Sequence, residues 1–83
     1  MMYYVYILVN KNKNKRYIGY TSNLRRRLKE HVKGKSYWSK RLENTELYYY
    51  EAYSTELLAK DREKKLKQRG SAKKALLKRI GLK

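Results

Sequence analysis

Tyrosine, arginine and histidine recur within one short run of this chain, Tyr17-Ile18-Gly19-Tyr20-Thr21-Ser22-Asn23-Leu24-Arg25-Arg26-Arg27-Leu28-Lys29-Glu30-His31. An aromatic strand passes through a glycine and three successive helix-capping residues into a helix that carries the one histidine of the sequence. Leu24, Arg27, Leu28 and His31 fall on one face of that helix. An arginine inside an apolar stripe must meet an anion or reach water along its stem. A phosphate suits it, because the planar guanidinium can hold two oxygens at once; snorkelling to solvent is the other reading. His31 can relay a proton or bind phosphate at neutral pH, or it can simply answer the dipole at the helix end before Gly34. The chemistry these side chains share is the handling of a phosphodiester.

Such residues work only if the chain folds so as to hold them together. Tyr3 to Val9 is aromatic and β-branched and predicts a strand. Asn10 to Lys15 alternates Asn and Lys and predicts a polar turn, after which Arg16 to Tyr20 is the return strand of a hairpin. Gly19 lets the backbone bend there or be approached closely. Thr21, Ser22 and Asn23 can each cap the first helix, whose Leu24, Leu28 and Val32 recur every fourth residue up to a stop at Gly34. Gly34 to Thr45 is a basic, polar connection. Glu46 to Tyr53 predicts a third strand, and Ser54 or Thr55 caps a second helix running to about Arg69. Ser71 caps a short last helix, Ala72 to Ile80, with Ala75, Leu76, Leu77 and Ile80 as its apolar stripe. The expected fold class is α+β, a three-stranded sheet with an antiparallel hairpin, in the order β-β-α-β-α-α, its helices packed on the sheet. Residues 1–83 are expected to form one domain, near the lower size at which a core alone holds a fold.

Charge narrows the partners. Twenty-three Lys and Arg face seven Asp and Glu, for a formal net charge of +16, a surface that attracts polyanions and repels its own kind. Nucleic acid comes ahead of an anionic membrane surface, because no helix is strongly apolar on one side and cationic on the other. Ten tyrosines stand against one tryptophan and no phenylalanine, so many rings should lie at the rim of the core with their hydroxyls wet. A large buried cavity, and with it a small-molecule cofactor, is not expected. There is no cysteine and a single histidine, which excludes disulfides, thiolate zinc sites and multi-histidine metal sites. Any metal must be a hard cation on carboxylate, water and substrate oxygens. Met1 to Val9 is too short to span a bilayer and lacks the charged start of a secretory signal, so a cytoplasmic location is expected.

The chain resembles the GIY-YIG nucleases, a family that includes the N-terminal nuclease domain of a bacterial excinuclease and the catalytic domain of some phage homing endonucleases. Tyr4-Val5-Tyr6 stands where the first family motif lies, and Tyr17-Ile18-Gly19 matches the second. Asn23-Leu24, Arg27 and His31 follow at the family spacing, and Glu63 falls where a metal-binding glutamate is expected. The likeness runs over nearly the whole chain, most closely to small bacterial members made of this domain alone. It implies a metal-dependent endonuclease that hydrolyses a phosphodiester bond in DNA, in repair or recombination. Glu63 would hold Mg²⁺ or Mn²⁺, Tyr6 with help from Tyr17 would orient or deprotonate the attacking water, Arg27 would neutralise transition-state charge, and His31 would support the site. The sequence departs from the family in two places: Tyr4 replaces the first motif's glycine, and no Asn follows Glu63, which implies either that Lys67, Gln68 or a water takes the companion role or that the activity is weak.

Taken by themselves, these residues have plainer readings. Tyr6 and Tyr17 can be core or rim rings, and Glu63, with Lys64, Lys65 and Lys67 about it, can be a salt-bridged surface carboxylate. Arg25, Arg26, Lys35, Tyr37, Trp38, Lys40, Arg41 and Lys67 are the candidate nucleic-acid contacts. Among them the Tyr37-Trp38 segment suits stacking on an unpaired base, and Trp38 alternatively covers the core edge. A non-catalytic basic module that binds nucleic acid, or an adaptor for ribosomal RNA or an acidic protein, stands beside the nuclease reading. Only the nuclease depends on a divalent metal.

Overall fold

The computed structural model describes residues 1–10, 15–33, 45–68 and 70–82, with the backbone alone described at residues 30–33. Strands β1 (Tyr3–Asn10) and β2 (Lys15–Thr21) lead into helix α1 (Leu24–Lys33). Strand β3 (Thr45–Tyr53) follows, then helices α2 (Glu56–Lys67) and α3 (Ser71–Arg79). This is the expected order. The stop at Gly34 and most of the basic connection after Lys33 lie outside the described residues.

Strand β1 is central in the order β2-β1-β3, and both its pairings are antiparallel. Its unbroken apolar run is explained by burial on both faces. Val5, Ile7 and Val9 point to one side, where Ala59 and Leu66 of α2 and Leu76 of α3 close over them. Tyr6 and Leu8 point to the other, against Leu24 and Leu28 of α1, with Tyr17 and Leu47 beside them. The sheet is thus a shared wall between α1 and the α2–α3 pair. A site that draws side chains from both of its faces must lie at an edge.

Local chemistry sets the helix starts. Of the three candidate caps, Asn23 takes the role: its Oδ1 accepts the Arg26 amide at 3.0 Å, while its own amide donates to Thr21 Oγ1 at 3.1 Å. Thr55 caps α2 by accepting the Leu58 amide at 3.2 Å. Helix α2 ends at Lys67 rather than near Arg69, because Gln68 is already extended. The last helix is capped by Gly70, not by Ser71, which is its first residue. Its stripe is Leu76, Leu77 and Ile80; Ala75 is exposed.

Two further differences come from packing that periodicity does not reveal. Leu58 is exposed beside Leu57, at 52% and 79%, so the buried stripe of α2 is Ala59 and Leu66 alone. In the β1–β3 ladder Ile7 pairs with Tyr49 but Leu8 pairs with Leu47, which leaves Tyr48 as the extra residue of a bulge. The bulge lets the Tyr48 hydroxyl donate to the Ile80 carbonyl at 2.7 Å, fastening the end of α3 to the sheet.

Candidate active site

A cleft of about 430 Å³ opens along the free edge of β2, with residues from both faces of the sheet in its walls. Tyr6 and Tyr17 come from the face that α1 covers, and Arg27 from α1 itself. Glu63 and Lys67, one turn apart, come from α2 on the opposite face. Four of the five residues expected to carry chemistry therefore line one cavity, together with Lys67 from the nucleic-acid-contact set. The fifth, His31, has its backbone in α1 and its side chain outside the described residues.

Gly19 is what allows Tyr6 to reach this cleft. The two residues face each other across the β1–β2 ladder. A methyl at Gly19 would lie 2.5 Å from both the Tyr6 Cζ and its hydroxyl oxygen. The end of the ring thus lies over the glycine, on its way to the edge of β2. Of the two uses open to this glycine, close approach is the one observed. Its backbone is not left-handed, a conformation found only at Gly81 among the described glycines.

The electrostatics of the cleft are strongly one-sided. Arg16, Arg27 and Lys67 line it, with Glu63 as the single carboxylate among the described residues. The Glu63 side chain is 23% exposed, and its Oε2 lies 3.3 Å from Lys67 Nζ. Burial first, and then the Glu56 carboxylate, raise the Tyr20 phenol above its ordinary value. Arg16 has no counterpart among the sequence candidates. Its position beside Tyr17 on the edge strand is the available clue, obscured because neighbours on a strand point to opposite faces.

Of the remaining candidates, Arg25 and Arg26 do not line the cleft. Arg25 lines a second cavity, near the start of α1, and Arg26 is exposed on the same turn. Lys35, Tyr37, Trp38, Lys40 and Arg41 lie outside the described residues.

A second polar group holds α2, and hence Glu63, in place. Glu51 on β3 accepts Arg62 Nε at 2.9 Å and Nη2 at 3.2 Å, and both Tyr49 and Tyr53 donate their hydroxyls to it. The signal for it in the sequence is the alternation Tyr49-x-Glu51-x-Tyr53, which puts one carboxylate between two phenols on one strand face. Burial pushes the Glu51 carboxyl up, but Arg62 and the two phenols outweigh it and hold the group below the usual carboxylate range. Burial and the adjacent carboxylate push Tyr53 up to about 12 and raise Tyr49 as well.

The cluster therefore stabilises the fold at neutral pH. Its Glu51 part is lost as pH falls below the ordinary carboxylate value and through the lowered one. Its tyrosine part is complete below about pH 10 and disappears as pH rises through about 12. Glu51→Gln is expected to cost about 2 kcal/mol at pH 7, since it leaves a half-buried guanidinium without its counter-charge. The difference from wild type should close in acid. Urea denaturation of both proteins from pH 7 to pH 3 checks this, and a gap independent of pH would refute the assignment.

Comparison with known proteins bears on the fold and the family. A family model for the GIY-YIG catalytic domain matches residues 2–76. The solution NMR structure of a UPF0213 protein from Bacillus halodurans is similar, with 31% identity and a TM-score of 0.58. The likeness covers 96% of this chain and 85% of the other. No curated protein matches the sequence.

Proposed function

We propose that this chain, which belongs to the GIY-YIG family, is a divalent-metal-dependent endonuclease that hydrolyses phosphodiester bonds in DNA. The family is one of nucleases acting on nucleic acid. The observation that carries the finer reading is the meeting of Tyr6, Tyr17, Arg27 and Glu63 in one open, cation-lined cleft. These residues come from two strands and two helices, and ordinary core packing gives no reason for them to share a cavity.

The donor set fits a hard cation. No group of three or more His, Cys, Asp or Glu that could hold a metal occurs among the described residues. One carboxylate is enough for Mg²⁺ or Mn²⁺ when water and substrate phosphate complete the shell. Glu63 would be that carboxylate, and its present partner, the Lys67 ammonium, is the group an arriving ion would displace. When bound, the ion would supply the positive charge that polarises the scissile phosphate and stabilises the leaving oxygen.

The chain's own side chains do the rest. The Arg27 guanidinium grips two phosphate oxygens and strengthens its hold as charge grows on them, an effect typically worth about 3 to 4 kcal/mol. The Tyr6 hydroxyl, with Tyr17 next to it in the cleft wall, orients the attacking water, and as the phenolate it would take up the water's proton. Arg16 and Lys67 hold the neighbouring phosphates on either side. His31 supports this work from α1 by proton relay or phosphate contact.

The test is a nicking assay on supercoiled DNA. Product is expected with Mg²⁺ or Mn²⁺ and none with chelator, while binding of DNA persists in both conditions and weakens steeply with salt. Binding without product in any metal would leave a non-catalytic module in place of the nuclease.

A further inference from the structure

From the second cavity of the molecule we infer a subsite for one unpaired nucleotide of the DNA strand, which deepens the nuclease reading and rests on it. This cavity, of about 420 Å³, lies where the start of α1 meets β1 and β3. Its size falls within the range of small-ligand pockets.

Its floor is aromatic. Tyr4 and Tyr50 meet edge to face with ring centroids 6.1 Å apart, and Tyr50 is 52% exposed. Met2 and Leu28 flank them. An exposed ring held in place by a second ring is a platform on which any base can stack. Its rim is cationic: Arg25 lines the cavity, and no acidic residue does so among the described residues. The first turn of α1 carries no acidic side chain either, so the positive end of its dipole faces the cavity uncompensated. Apolar floor and anion-seeking rim together match a base with its phosphate. A second copy of the chain matches neither, because each carries a formal charge of +16.

The position of the cavity gives the subsite its use. Tyr4 and Tyr6 project from the same face of β1 two residues apart, a separation of about 7 Å along the strand. Tyr4 belongs to the second cavity and Tyr6 to the catalytic cleft. A strand crossing the N-terminal half of α1 reaches both. Paired bases are stacked on each other and cannot enter, so the subsite selects DNA with an unpaired nucleotide next to the bond that is cut.

The experiment is fluorescence anisotropy in chelator, which compares a short duplex with the same duplex carrying a single-stranded tail. Wild type is expected to prefer the tailed DNA. Tyr50→Ala should weaken tailed binding roughly tenfold and leave the blunt duplex unchanged, while Tyr50→Trp retains the preference. Wild-type affinity of Tyr50→Ala for the tailed DNA would overturn the subsite. So would sedimentation showing that the substitution dissociates a dimer. Nicking with Mg²⁺ is measured on the same preparations. Tail preference without nicking sinks the nuclease and keeps the subsite; nicking with no tail preference does the reverse.

Discussion

Cleavage of DNA by the Glu63→Gln protein is expected to fall by roughly a thousandfold in Mg²⁺, a loss of the size that follows removal of a key electrostatic group, while the fold is retained. Glutamine has the shape of glutamate but no charge, so the substitution removes the one anion found in the cleft among the described residues and little else. Structure should survive because the ion pair given up, to Lys67 at 3.3 Å, involves a lysine that is 55% exposed. Such pairs contribute about 0 to 1 kcal/mol. Affinity for DNA should stay the same or rise, since one negative charge leaves a surface that meets phosphates. Single-turnover nicking, a thermal melt and anisotropy on one preparation separate the three effects. Arg27→Ala provides the contrast, with cleavage down by about two to three orders of magnitude and binding also weakened. A Glu63→Gln protein that nicks at the wild-type rate would remove the cation from the scheme and leave a basic cleft of another purpose.

Much of the architecture can be read from local chemistry. Tyr3 to Val9 is apolar on both faces of the strand, as only a central strand with covered sides requires. Asn23 and Thr55 are capping residues, and both cap. Where local chemistry falls short, the missing contribution is tertiary. Leu58 sits among apolar neighbours in sequence but is exposed, because the face of α2 turned to the sheet is the one that carries Ala59 and Leu66. The bulge at Tyr48 depends on a contact to Ile80, which no feature of the strand itself announces. Glu51 is one more strand carboxylate until Arg62 comes to lie over it from α2.

The candidate site shows the same division. Arg27 and Tyr17 belong to one local run and announce themselves by spacing. Glu63 lies far along the chain, and its place follows only from the sheet order β2-β1-β3, which leaves β2 as the edge that both α1 and α2 can overreach. Only the family resemblance pairs it with Tyr6 in advance of the fold. Arg16, with no matching motif, becomes visible only through the cleft it lines.

The most discriminating substitution is Gly19→Ala, for which cleavage is expected to fall about a hundredfold in a protein that remains folded. The added methyl would stand 2.5 Å from the Tyr6 Cζ and from its hydroxyl oxygen, inside any allowed contact. Those atoms are the far end of a side chain, so the ring can swing aside more readily than the strands can part. The overlap should lower stability by about 1 to 3 kcal/mol, as overpacking generally does, and a misplacement of about 1 Å at a reacting group is enough for the kinetic loss. Gly70→Ala is the control, because nothing lies within 4 Å of the position its methyl would take, and its activity should be unchanged. The decisive comparison is with Tyr6→Phe. If Gly19 acts by giving the Tyr6 hydroxyl its place, the double variant Gly19→Ala with Tyr6→Phe will be no slower than Tyr6→Phe alone, because a hydroxyl already removed cannot be misplaced. Losses that multiply instead would mean that the glycine serves the backbone of β2, and that Tyr6 owes its position to something else.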